Sequence, residues 1–140
     1  MTLRGIVCLG LVLVGGACSD DLETPTSATA TATGPVTILF SGTLQPRTSR
    51  FYSYTLTTAG SVSALLASVE RNGVPAASAL EIGIGSPAGT GCAVTMSARV
   101  SASLIPQLRQ DAAVGTYCVR IADTEGLSAP ATFTIRVIHP

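Results

Sequence analysis

The sequence has no tryptophan and no lysine, a single histidine, two methionines and an aromatic content of only 4%. Charged residues fill 11% of its 140 positions, and the eight arginines are balanced by eight acids, so the formal net charge is zero. Nucleic acid is thereby excluded as a partner, because its binding rests on concentrated positive charge and no arginine cluster exists. The one histidine, His139, is the penultimate residue and is expected to follow the last strand, where chain ends are mobile. No Gly-x-Ser-x-Gly elbow occurs, so neither half of a Ser-His-Asp constellation is in place and an enzyme is not expected. What is abundant is apolar: 46% of the residues. High apolar content with few charges argues against a disordered chain, and the length suits one ordinary domain.

The first segment, residues 1–17, has the three parts of an export signal. Arg4 supplies the positive start, Gly5 to Val14 an apolar core, and Gly15-Gly16-Ala17 a small-residue end. The apolar stretch stops well short of the roughly 20 residues that a spanning helix needs. Cys18 follows directly. Val14-Gly15-Gly16-Ala17-Cys18 resembles the lipobox of bacterial lipoproteins, departing from it at Gly15, where that family prefers an aliphatic residue. The resemblance implies cleavage before Cys18, diacylglycerol on its thiol and residence in the cell envelope, with Ser19 implying outer-membrane sorting. Two or more acyl chains on one residue anchor stably where one chain is marginal.

Residues 18–34 carry three acids, Asp20, Asp21 and Glu23, and then alternate Thr with Ala. Alanine is too small to build a core face, so this is read as a flexible tether rather than a strand, with a reach of about 20–24 Å.

The third segment, residues 35–140, is long enough to bury about 60–68% of its unfolded surface. Its apolar residues recur at period two, with no helical stripe. Strands are predicted from Val36 to Gly42, Ser49 to Thr57, Ser61 to Val69 and Leu80 to Gly85. Cys92 to Met96 and Val100 to Leu108 are weaker candidates, the latter interrupted by Pro106. Gly115 to Asp123 and Ala131 to Ile138 are the clearest. Asn72-Gly73 and Ser86-Pro87-Ala88-Gly89 read as turns. Seven or eight short strands with this punctuation make an all-β, antiparallel sandwich.

Cysteine usage follows from the segments. Cys8 leaves with the signal and Cys18 takes the lipid, so Cys92 and Cys118 remain to pair. In an exported domain two leftover thiols form a disulfide, worth about 3 kcal/mol for a loop of this length.

Tyr52-x-Tyr54-x-Leu56, Gly60-x-Val62, Gly115-Thr-Tyr-Cys-Val-Arg-Ile and Phe133-x-Ile135-x-Val137 are similar to the strand rhythm of the bacterial pre-peptidase C-terminal domain. That resemblance covers about residues 38–138 and implies a jelly-roll-like sandwich. The family's acidic stretch is absent here, with Leu80-Glu81-Ile82-Gly83-Ile84 in its place.

Candidate binding residues are few. Phe51 is the one aromatic out of phase with the core, sharing a face with Ser53 and Thr55; Arg47, Arg50 and Arg71 are read as scattered surface cations. Asp123-Thr-Glu125-Gly126 places two carboxylates in a turn, where a weak Ca²⁺ site is the alternative to plain solvation. No other metal or cofactor is expected. The expectation is a lipid-anchored, non-catalytic structural or interaction module, held to the membrane through Cys18, with a cell-surface protein or glycan as partner. The alternative is a carbohydrate- or peptide-binding module assisted by Ca²⁺.

Overall fold

Alternation at period two governs the third segment, and strands form wherever it runs. The computed structural model describes residues 34–140; the signal, Cys18 and all but the last residue of the tether lie outside the described residues. Nine strands follow one another: β1 Val36–Leu44, β2 Ser49–Leu56, β3 Gly60–Arg71, β4 Val74–Pro75, β5 Leu80–Ala88, β6 Gly91–Val100, β7 Leu108–Ala112, β8 Gly115–Ala122 and β9 Ala131–His139. Every pairing is antiparallel.

One sheet has the order β1-β9-β3, with β7 and the two-residue β4 sharing the outer edge of β3; the other has the order β2-β8-β5-β6. Setting β4 aside, these are two four-stranded sheets whose successive strands mostly alternate between layers, the topology of a jelly roll. The inner faces meet in one core, with Leu44, Leu66, Phe133, Ile135 and Val137 from the first sheet against Leu56, Leu80, Ile82, Ile84, Val119 and Ile121 from the second. Each such side chain is fully or almost fully buried. Burial of an aliphatic or phenyl side chain of this size stabilises by about 1.5–3 kcal/mol, so the core is the main source of stability.

β9 shows the alternation most cleanly: Ala131, Phe133, Ile135, Val137 and His139 point inward, and Thr132, Thr134, Arg136 and Ile138 outward. In β3 the apolar spacing is irregular, since Val62, Ala64 and Leu66 are two apart but Val69 comes three later. The register against β9 shifts between Leu66 and Ser68. A bulge at Ala67 therefore absorbs the extra residue and returns Val69 to the core.

The Cys92–Cys118 disulfide is formed, with Cα atoms 5.9 Å apart. It joins β6 to β8 although β5 lies between them. The pairing of β5 with β8 ends at Gly85↔Cys118, and β6 bulges at the same level, where Gly85 faces Val94 and Ile84 faces Met96. A Cβ on Gly85 would lie 2.0 Å from the Ala93 carbonyl oxygen. The missing side chain is what lets β6 lean over β5 and bring Cys92 to Cys118.

Four features differ from the sequence reading. Residues 101–107 are not a strand: Pro106 has no N–H to give a ladder, and Gln107 instead holds the segment against β3. Its Oε1 accepts from Leu66 N at 2.9 Å and its Nε2 donates to the Ser101 carbonyl at 2.6 Å. The turn expected at Ser86–Gly89 falls later, at Gly89-Thr90, because Pro87 lies beyond the part of β5 that pairs with β8 and costs that ladder nothing. Strands number nine rather than seven or eight, since Asn72 and Gly73, at φ 51° and 76°, form a tight hairpin that adds β4. Finally, His139 is the last residue of β9 and is buried, its ring stacked on Tyr54 at 5.9 Å. It completes an aromatic stack with Phe40, Tyr52, Tyr54 and Tyr117 that closes the side where edge strands β1 and β2 meet.

Candidate functional site

The topology separates two poles. The chain enters at Val36, which pairs with His139, so both ends of the domain share one pole. The β1–β2, β3–β4, β4–β5 and β8–β9 connections gather at the other, about 30 Å away for a nine-residue strand.

Asp123 organises that far pole. It follows β8 directly and is buried, and its own N–H donates to the Thr48 carbonyl at 3.0 Å. Its Oδ2 accepts from Arg47 N and Leu127 N, both at 2.7 Å, and its Oδ1 from Gly126 N at 3.0 Å. Burial alone would push this carboxyl up. The three N–H donors, from Arg47, Leu127 and Gly126, together with the Arg47 charge, outweigh burial and hold it below the usual carboxylate range. Arg47 sits at φ 59° and Gly126 at φ 89°, left-handed conformations that the shared carboxylate helps to fix. Asp123 is thus a clamp between two loops.

Beside the clamp is a polar cleft of about 270 Å³, lined by Arg71, Ser78, Arg99, Asp123, Glu125 and Ser128, with Ala79, Gly126 and Leu127 as its small apolar part. Arg71, at the end of β3, is partly buried; its Nη1 donates to Ser128 Oγ at 2.8 Å and its Nη2 to Ser78 Oγ at 3.2 Å. Arg99 of β6 pairs with Glu125 across the rim. Of the sequence-derived candidates, Asp123 and Glu125 meet here. Phe51 does not: it is 40% exposed on the outer face of β2, opposite Arg120, beside a separate shallow depression with Ser49 and Arg50.

Nor do the candidate acids gather for a metal. The Asp123 oxygens are occupied by N–H groups, Glu125 by Arg99, and no group of three His, Cys, Asp or Glu side chains converges among the described residues. His139 is equally unavailable as a base, since its Nδ1 lies 2.7 Å from the Pro140 carbonyl oxygen and its Nε2 is buried without a partner.

No family model and no curated protein matches the chain. The site must therefore be read from its own chemistry.

Arg71, Ser78, Arg99 and Ser128 were not legible as a group. Arg71 and Ser128 are 57 positions apart and meet only because β3 and the β8–β9 loop end at the same pole. The linear sequence shows an arginine before an Asn-Gly turn, which reads as solvated surface. A second polar depression, of about 350 Å³, lies on the outer face of the first sheet among Ser41, Thr43, Ser68, Glu70, Thr132 and Thr134. There Ser41 Oγ pairs with Thr134 Oγ1 at 3.0 Å, and Thr132 Oγ1 donates to the Glu70 carbonyl at 3.4 Å.

Proposed function

We propose that this is a lipid-anchored, non-catalytic interaction module of a bacterial cell envelope, attached through Cys18 and presenting its loop pole away from the membrane. The observation that carries this reading is the placement of both domain ends at one pole and of the polar cleft at the other. A chain tethered at Val36 would hold that cleft roughly 30 Å beyond its point of attachment. The Cys92–Cys118 disulfide supports an oxidising compartment. The shielded His139, and the engagement of Glu81 and Glu125 by arginines and of Asp123 by backbone N–H groups, support a role in contact rather than in turnover.

Labelling with radioactive palmitate tests the anchor. The wild-type protein should incorporate label and sediment with membranes, whereas Cys18→Ser should do neither. Equal labelling of the two would remove the anchor from this reading.

The cleft favours a binding module over a purely structural one, because Arg71 is held in direction there by two serine hydroxyls with no carboxylate partner among the described residues.

A further inference from the structure

We propose that the cleft at the loop pole binds an acidic sugar, with the carboxylate of a uronic acid seated on Arg71. The proposal rests on reading the domain as an interaction module and names its ligand class.

Arg71 is the starting point. It has no carboxylate within ion-pair distance among the described residues, where the ion pairs are Arg99–Glu125 and Arg120–Glu81. Two neutral hydroxyls orient its guanidinium instead. An arginine fixed by a carboxylate has spent its charge, but one fixed by serine oxygens keeps its charge and loses its freedom. That is the condition for binding an oxyanion without paying to order the side chain.

The hydroxyls add to this. Ser78 Oγ and Ser128 Oγ accept from Arg71, so the hydrogen on each oxygen remains free to donate. Guanidinium N–H groups and two O–H groups then face one small volume, and the planar fork matches the two oxygens of a carboxylate.

The ligand must also offer hydroxyls. Glu125, held at the rim by Arg99 through Oε1, is the one cleft carboxylate whose oxygens are not taken by backbone N–H groups, and its Oε2 can accept from a hydroxylated ligand. Asp123 is less suited to that role, being buried with three backbone N–H groups on its carboxylate. No aromatic lines the cleft, so recognition runs through charge and hydrogen bonds rather than stacking on a ring face. The volume of about 270 Å³ falls just below that of pockets for drug-sized ligands, roughly 300–1,000 Å³, and suits a single ring.

The test is calorimetric titration of the full-length protein, purified in detergent, with galacturonate, galactose, acetate and inorganic phosphate. Galacturonate should bind, and galactose and acetate, which each lack half of the recognised groups, should bind at least ~10-fold more weakly. Arg71→Gln should weaken galacturonate binding ~10- to 100-fold, the loss of charge-assisted hydrogen bonds, and Arg109→Gln at the opposite pole should leave it unchanged. Because Arg71 also ties two loops together, Glu125→Gln serves as the second variant: it lies at the exposed rim and should weaken galacturonate while leaving acetate unaffected. Undiminished binding by Arg71→Gln, galactose binding equal to galacturonate, or no binding of galacturonate at millimolar concentration would each overturn the proposal. Phosphate binding tighter than galacturonate would also overturn it, in favour of a phosphate ligand. A protein that incorporates palmitate but fails to bind galacturonate would keep the envelope-anchored reading and lose only this site.

Discussion

Asp123 ties two loops at the loop pole through three backbone N–H groups, and its removal has a calculable cost. Its carboxylate accepts three backbone N–H groups at 2.7–3.0 Å, from Arg47, Leu127 and Gly126. Hydrogen bonds to a charged group contribute about 1.5–3 kcal/mol each, and the N–H groups left behind in Asp123→Ala are only partly recovered by water. Taking roughly 1–1.5 kcal/mol net per bond, for a site that water can enter after truncation, gives about 3–4.5 kcal/mol. In a domain of this size 1 kcal/mol corresponds to about 4 °C in Tm, so Asp123→Ala should melt roughly 12–18 °C below wild type. Asp123→Asn keeps one carbonyl acceptor and should fall between them.

The pH dependence checks the same reasoning independently. The folded carboxyl lies below its unfolded value of about 3.9. Its contribution is therefore fully present above that pH and is lost as pH falls through the folded value. Wild type should lose more stability than Asp123→Asn on acidification below pH ~4. Thermal unfolding followed by circular dichroism at pH 7 and across the acid range provides both readouts. A Tm for Asp123→Ala within a few degrees of wild type, or identical acid profiles for wild type and Asp123→Asn, would refute the clamp.

Two further outcomes follow from close contacts elsewhere. Gly85→Ala would set a Cβ 2.0 Å from the Ala93 carbonyl oxygen and push β6 off β5, so it should cost at least ~2 kcal/mol and leave a fraction of Cys92 and Cys118 reactive to a thiol alkylating reagent. Gly91→Ala, whose nearest neighbour is 3.7 Å away, should do neither. Burial, with a smaller contribution from Tyr117, pushes the Tyr54 hydroxyl up to about 12. Stability from its neutral form is intact below pH 10 and is lost as pH rises toward that value. Ultraviolet titration should show one tyrosine ionising late, and Tyr54→Phe should remove it; because the hydroxyl has no partner, that variant should unfold no earlier than wild type at pH 7.

The sandwich was legible because its cause is local. Tyr52, Tyr54 and Leu56, or Phe133, Ile135 and Val137, declare their inward face by spacing alone, and Asn72-Gly73 declares a turn by backbone preference, though not the short strand β4 that follows it. The disulfide was legible because elimination left one pair. What escaped depends on strand order. Nothing near Gln107 in the sequence says that its amide will replace a ladder bond of β3 at Leu66. Nothing near His139 says that Tyr54 waits to cover its ring. Asp123 and Glu125 were singled out as carboxylates in a turn, but their roles differ because of the residues that arrive from elsewhere: backbone N–H groups of two loops for one, Arg99 for the other. The arginine that matters most for binding was passed over as surface, since its two serine partners come from separate loops.

Scarce charge makes the exceptions informative. A sandwich with so few ionised groups has little reason to hold any of them in a partly buried position, and several of those it does hold are neutralised on the spot. Glu81 meets Arg120 at 2.5 Å, and Asp123 meets three N–H groups. Arg136 is partly buried without an ion pair, and Arg71 differs from it in having its guanidinium fixed by side-chain hydrogen bonds. Arg71 is partly buried, fixed in direction and without a carboxylate partner among the described residues. Were it only a loop staple, a neutral donor would serve Ser78 and Ser128 as well and would avoid the cost of desolvating a charge. An unspent, preoriented cation inside a polar cleft is better explained by an anion that comes from outside the chain.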